Sequence, residues 1–312
     1  MVVLARNGTA AELPKLAFLG PVGTYSHQAA HDAFSSMVEY HVRQTIADVF
    51  HSVDAALPLG LLPQENSIFG TVTETYDLLR SPEVGKTKFI RGAVTLSVRH
   101  CLLVRKGTRL EDIKTILSHE QALGQCRSFI EKHLPGAALV KMASTAAAAE
   151  TVSRNSAADA AAICSKICAG LFSDLDILHE GIQNENDNFT RFYVMSNSPV
   201  APLPVPLSED CVGHGLIRIE VVRPPANSRP SVTCSPIMQL LEALQLPVSR
   251  IDRRPSTQPG RFESVYLVEV IDDDTACDMS SESDEVDWAR RIQNAARRVR
   301  EAGGLASILG TW

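Results

Sequence analysis

Long apolar runs are missing from this chain of 312 residues; none approaches the roughly 18 that a membrane-spanning helix needs. The stretch Met1 to Ala11 has one arginine and a short Val-Val-Leu-Ala run, too short for a secretory signal. Cysteine is present but without a framework. Its seven copies are an odd number with scattered spacing, which suits reduced thiols and a cytoplasmic protein rather than a disulfide scaffold. A surplus of basic residues is also missing. Thirty Lys/Arg face thirty-six Asp/Glu, a formal charge of −6. Residues 272–287 alone carry eight of those acids and no Lys or Arg, so setting them aside leaves the rest of the chain at +2. A near-neutral body gives no electrostatic reason to expect nucleic acid or a membrane as partner. What remains is a hydrophobic fraction of 45%, enough to build globular cores over about two domains.

The first 200 residues alternate short apolar runs with helical patterns, the rhythm of an α/β domain with a largely parallel sheet. Leu16–Leu19 reads as a buried strand stopped by Gly20-Pro21, and Tyr25–Met37 as a helix. Thr45 can cap a helix over Ala47–Ala56, Gly60–Pro63 reads as a short strand, and Val72–Leu79 as a helix. Strands follow at Cys101–Val104, Thr115–Leu117, Ala137–Met142 and Arg191–Met195, with helices opening at Ser118 and Thr145. Four prolines between 196 and 213 suggest an interdomain linker. Beyond it the order is β-α-β-β-α-β, a ferredoxin-like unit. Its last helix sets Trp288, Ile292, Ala295, Ala296 and Val299 on one face and is stopped by Gly303-Gly304. The acidic segment 272–287 reads as a solvated loop.

Five polar clusters sit where strands end or helices begin, the edge at which open α/β sheets bind ligands. Gly20-Pro21-Val22-Gly23-Thr24-Tyr25-Ser26 offers backbone amides and a helix start to an anion, or is a turn in which Thr24 or Ser26 caps the helix. Gln64-Glu65-Asn66-Ser67 puts consecutive polar side chains after a buried strand, either as a site or as a turn. Ser118-His119-Glu120-Gln121 fits a capping box, while Gln125, beside Cys126, has no such local explanation. Ser144-Thr145 can cap the helix that follows. Asn188-Phe189-Thr190-Arg191-Phe192 brings a hydroxyl and a guanidinium together; the arginine fork suits a carboxylate or a surface salt bridge. Metal, P-loop and serine-hydrolase readings lack their patterns. Cys164 and Cys168, four apart on an expected helix, have no partner pair of ligand spacing, and Cys101 lies within an apolar strand. No cofactor is expected.

Taken in order, these five clusters resemble the prephenate dehydratase family over residues 16 to 195, and the C-terminal unit resembles the family's regulatory ACT domain. The resemblance implies a periplasmic-binding-protein-like catalytic domain over 14–198, a linker over 199–213 and the ACT domain over 214–312. The catalytic domain would have two α/β lobes, roughly 15–98 plus 180–198 and 99–179. It further implies decarboxylating dehydration of prephenate to phenylpyruvate in phenylalanine biosynthesis, with no metal or organic cofactor.

Prephenate is a dianion whose ring hydroxyl leaves only when a proton is supplied, so the enzyme must orient two carboxylates and deliver that proton. By resemblance Thr190 is the essential catalytic residue, and Thr24, Ser26, Glu65, Asn66, Ser67, Ser118, Gln125, Thr145, Arg191 and Phe192 hold the substrate. Glu65, kept protonated by burial, would be the alternative acid. The resemblance also implies L-phenylalanine as effector, bound between ACT domains of a homodimer or dimer of dimers. Its Glu-Ser-Arg-Pro motif is only partly matched by Asp252-Arg253-Arg254-Pro255, so Asp252, Arg254 and Pro255 are the candidate effector residues. The family's Gly-Ala-Leu stretch is not recognisable around Val232–Ile237. Arogenate dehydratase shares these motifs. A non-catalytic two-lobed sensor is the other alternative, disfavoured by an intact Thr190-Arg191-Phe192.

Overall fold

The computed structural model describes residues 12–155, 158–207, 213–222, 236–257, 263–272 and 282–312, without the side chains of 282–285. Most of the acidic segment (273–281), the Val232–Ser235 stretch and residues 208–212 of the expected linker lie outside the described residues. Where it is described, the acidic segment is not the solvated loop expected: Asp272 is buried against Arg291, and residues 282–287 begin the last helix, whose later arginines balance their charge.

The chain starts with β1 (Lys15–Leu19), α1 (Tyr25–Phe34), β2 (Glu39–Arg43), α2 (Ile46–Ser52), β3 (Leu59–Asn66), β4 (Gly70–Thr71), α3 (Thr73–Leu78) and β5 (Phe89–Ser97). Leu16, Ala17 and Phe18 are fully buried, as a strand covered on both faces requires. Thr24 caps α1 by accepting from the His27 amide, and Thr45 and Asp48 form a full capping box on α2. The chain then crosses into a second lobe made of β6 (Cys101–Arg105), β7 (Thr115–Ser118), α4 (Glu120–Gln125), α5 (Arg127–His133), β8 (Ala138–Lys141), α6 (Thr145–Arg154), β9 (Ala160–Cys164), α7 (Ile167–Leu171) and β10 (Leu175–Glu180). It returns as β11 (Phe189–Ser196), which inserts between β3 and β5 and runs antiparallel to both.

The result is the two-lobed α/β arrangement expected, with strand orders β5-β11-β3-β1-β2 and β10-β6-β9-β7-β8. Neither sheet is largely parallel, and this corrects the sequence reading. The strands at the two crossings run antiparallel to their neighbours, because each lobe is completed by chain coming back from the other.

The C-terminal segment forms β12 (His214–Val221), α8 (Pro236–Leu244), β13 (Val248–Pro255), β14 (Ser264–Ile271), α9 (Glu282–Glu301) and β15 (Gly304–Thr311). Its strand order β13-β14-β12-β15, all antiparallel, is ferredoxin-like. One face of this sheet packs Ile217, Ile219, Val268 and Val270 against Leu240, Trp288, Ile292 and Val299 of the helices. The other face sends Leu216, Leu267 and Leu309 into the core of the first lobe beside Phe50, Tyr76 and Tyr193. β15 also meets β5 at Gly310 and Ile90, where any Cβ on Gly310 would collide with the Ile90 carbonyl. The two units thus share a core. Where it is described, the proline-rich connection is packed too, with Leu203, Val205 and Leu207 against the first lobe.

Candidate active site

The second and fifth polar clusters meet because β3 runs on past Pro63 to Asn66 and pairs with β11. The register sets Thr190 opposite Asn66 and Arg191 opposite Glu65. A register shift beside Pro63 absorbs its missing N–H. The Asn66 amide is oriented by its surroundings. Its Oδ1 accepts from the Ile68 and Phe69 amides at 3.0 and 3.1 Å, so Nδ2 faces β11 and donates to Asn188 Oδ1 at 2.7 Å and to Thr190 Oγ1 at 3.0 Å. Among the described residues the Thr190 hydroxyl accepts this bond and donates to no protein group, which leaves its own proton for a ligand. Ser67 ties the turn to the opposite strand, donating to the Asp187 carbonyl and accepting from the Phe189 amide, both at 2.9 Å.

Glu65 lies between two guanidinium groups. Arg191 Nη1 is 3.1 Å from Oε1, and Arg250, arriving from β13, contacts Oε2. The Glu65 side chain is 27% exposed and meets a guanidinium at each oxygen, the setting of an ion-paired acceptor rather than of an acid kept protonated by burial. Phe192, expected at the substrate, is only 1% exposed and packs among Phe18, Leu61 and Val194; its place is in the core.

The other clusters line the second lobe and the hinge. Thr24 donates to the Leu19 carbonyl as well as capping α1, and Ser26 is buried in that helix's first turn. Gly23 has φ +91°, and a Cβ there would come within 2.9 Å of Cys168 Sγ and 3.2 Å of the Ala146 Cβ. Its carbonyl accepts from Ser165 Oγ at 2.7 Å, so this loop is pressed directly against the second lobe. Cys168 lies in α7 and Cys164 ends β9, so they do not share the helix expected. Ser118 is not a helix cap: it ends β7, fully buried, and donates to the Ile163 carbonyl, while His119 caps α4. Ser144 caps α6 through the Ala147 amide, leaving Thr145 as the first helical residue, nearly buried.

Gln125 has a partner that sequence reasoning missed. His100, 2% exposed on the crossing from β5 to β6, reaches Gln125 Oε1 with Nε2 and the Tyr25 hydroxyl with Nδ1, both at 2.5 Å. With the Gln125 oxygen accepting, Nε2 carries the proton and Nδ1 accepts from Tyr25. Burial lowers the His100 pKa below its ordinary 6.5, against the pull of the Gln125 bond, so the ring is held neutral. Tyr25 belongs to the first lobe and Gln125 to the second. His100 is therefore a pin between the lobes, and its backbone amide is fixed by Gln183 Oε1 on the return crossing at 2.9 Å.

The candidate effector residues on β13 face the first lobe. Asp252 accepts from Thr71 Oγ1 at 3.1 Å and pairs with Arg250. Arg254 forks onto Asp77 of α3 at 2.8 and 2.9 Å, and the Pro255 carbonyl accepts from Arg80 at 2.6 Å. Charged residues at 250, 252 and 254, alternating along a strand, were the sequence signal for this contact.

Residues 16–200 match the family model described as prephenate dehydratase. The bifunctional chorismate mutase/prephenate dehydratase of Pseudomonas aeruginosa is 38% identical over 189 residues, 60% of this chain and 50% of that protein. Arogenate dehydratase 2 of Petunia hybrida is 35% identical over 64% of this chain and 49% of its own length. The chain thus spans about half the length of the curated relatives it matches. Among solved structures, the prephenate dehydratase of Arthrobacter aurescens in complex with L-Phe superposes with a TM-score of 0.69 at 23% identity, covering 95% of this chain and 89% of that one.

Proposed function

The chain belongs to the prephenate dehydratase family, and we propose that it converts prephenate to phenylpyruvate, carbon dioxide and water. The observation that carries this reading is the Thr190–Asn66 pair set directly beside Arg191 and Glu65. Asn66 donates to Oγ1, which polarises the threonine O–H and leaves its proton pointed at a ligand. That proton meets the departing ring hydroxyl, which leaves as water, while the C–C bond to the ring carboxylate breaks and its electrons complete the aromatic ring. Solvent restores the threonine proton. Arg191 presents the part of its fork not engaged by Glu65 to a substrate carboxylate. Gln125 and Thr145 bind from the second lobe, and Thr24, Ser26, Ser67 and the buried Ser118, whose hydroxyl is spent on the Ile163 carbonyl, support the segments around the substrate.

The Petunia relative's name supports a second substrate, arogenate, which differs by an amino group where prephenate has a keto group. Purified protein assayed separately with the two acids, following phenylpyruvate and phenylalanine, decides between them. A higher kcat/KM with prephenate is expected, and preference for arogenate would overturn the assignment.

The ferredoxin-like C-terminal unit is proposed to be an ACT regulatory domain that binds L-phenylalanine across a dimer of this cytoplasmic chain. The L-Phe bound to the Arthrobacter protein supports this. Asp252 and Arg254 are already engaged with the first lobe, so inhibition is expected to be weaker than in relatives with both effector motifs. Titration calorimetry with phenylalanine measures it.

A further inference from the structure

We propose that Arg250 is a positioning residue for the reaction, delivered from the C-terminal unit, which neutralises Glu65 and so keeps Arg191 available to the substrate. The proposal rests on the dehydratase reading of the same site.

Arg250 is the better anchored of the two arginines on Glu65. Its Nε pairs with Asp252 Oδ2 at 2.5 Å, its Nη2 donates to Thr71 Oγ1 at 2.9 Å, and its guanidinium lies over the Tyr76 ring, 5.4 Å from the centroid. Thr71 itself sits on β4, directly opposite Glu65 in the pairing with β3. The Arg250 side chain is 18% exposed, against 42% for Arg191. Arg191 is therefore the partner free to turn toward a ligand, and Arg250 the one that stays.

Charge makes the same point. Glu65 and Asp252 are balanced by Arg191 and Arg250, so the group as built is neutral. Without Arg250, Glu65 would rest on Arg191 alone and Asp252 would lose its cation, at a site that must accept a dianion. The remaining negative charge would repel the substrate and draw Arg191 back onto Glu65. With the pair partly screened by water, this should weaken substrate binding by about tenfold.

The test is steady-state kinetics on full-length wild type, Arg250→Gln, Arg250→Lys, Arg254→Gln and the Glu65→Gln and Glu65→Gln/Arg250→Gln pair. Arg250→Gln is expected to raise KM for prephenate about tenfold while kcat changes by less than about twofold. Arg250→Lys keeps the charge and should recover most of the loss, and it serves as the readable variant should the glutamine protein not fold. Arg254→Gln breaks a docking pair on the same strand without touching the site, and should leave KM near wild type. In the Glu65→Gln background, Arg250→Gln should add little, because the carboxylate it neutralises is gone. An unchanged KM in Arg250→Gln, an equal rise in Arg254→Gln, or a full tenfold effect without Glu65 would each overturn the proposal. A wild type that does not consume prephenate would instead overturn the dehydratase reading itself.

Discussion

Replacing Thr190 by valine removes one hydroxyl and keeps the β-branched shape that a strand accepts. In the structure that oxygen receives one bond, 3.0 Å from Asn66 Nδ2, while the same amide group also donates to Asn188 Oδ1 and to the Phe189 carbonyl at 3.1 Å. Asn66 keeps two partners in the variant, so β3 and β11 should remain paired and the loss of stability should stay near about 1 kcal/mol. Activity should fall much further. If the hydroxyl supplies the proton to the leaving oxygen, its removal should lower kcat by about 10²-fold or more, equivalent to about 2.7 kcal/mol of barrier. KM should barely move, since Arg191 and the second lobe still bind the carboxylates. Thr190→Ser keeps the oxygen and should retain far more activity than Thr190→Val. The assay is steady-state turnover of prephenate beside a urea melt of each variant. A valine variant that folds and keeps wild-type kcat would show that the proton comes from elsewhere.

Arg191→Lys keeps the charge but loses the fork, and should mainly raise KM; an unchanged KM would mark Arg191 as a purely structural partner of Glu65. Gly23→Ala forces a side chain into a left-handed conformation, within 2.9 Å of Cys168 Sγ, and should cost about 2 kcal/mol or more in denaturant unfolding. His100 titrates below its ordinary 6.5 when folded, so the unfolded chain takes up that proton first as pH falls. Its contribution to stability is therefore complete above about pH 6.5 and declines as the pH drops through and below that value. His100→Asn should flatten that part of the stability profile, which urea melts across the range would record.

The sequence revealed those features that depend on near neighbours. Thr24, Thr45 and Ser144 cap the helices they precede, and the buried stripe of Trp288, Ile292, Ala295 and Val299 follows helical spacing. Strands without a local signature were harder. β9 is Ala-Ala-Ala-Ile-Cys, five buried residues rich in a helix-former, and only its place between β6 and β7 makes it a strand. Ser118 matched a capping box, but burial in β7 won and passed the cap to His119. The site was legible as five clusters and illegible as a network. Arg250 and Glu65 are 185 positions apart, as are few pairs a linear pattern can join, and His100 acquires its role only when two lobes bring Tyr25 and Gln125 to its two nitrogens.

The most direct test of the account is the wild-type protein with prephenate labelled in its ring carboxylate. Release of labelled carbon dioxide and formation of phenylpyruvate in equal amounts, well above the rate without protein and retained after exhaustive treatment with a metal chelator, is the predicted result. Prephenate that disappears no faster than in buffer, or loses its label without forming phenylpyruvate, would contradict it.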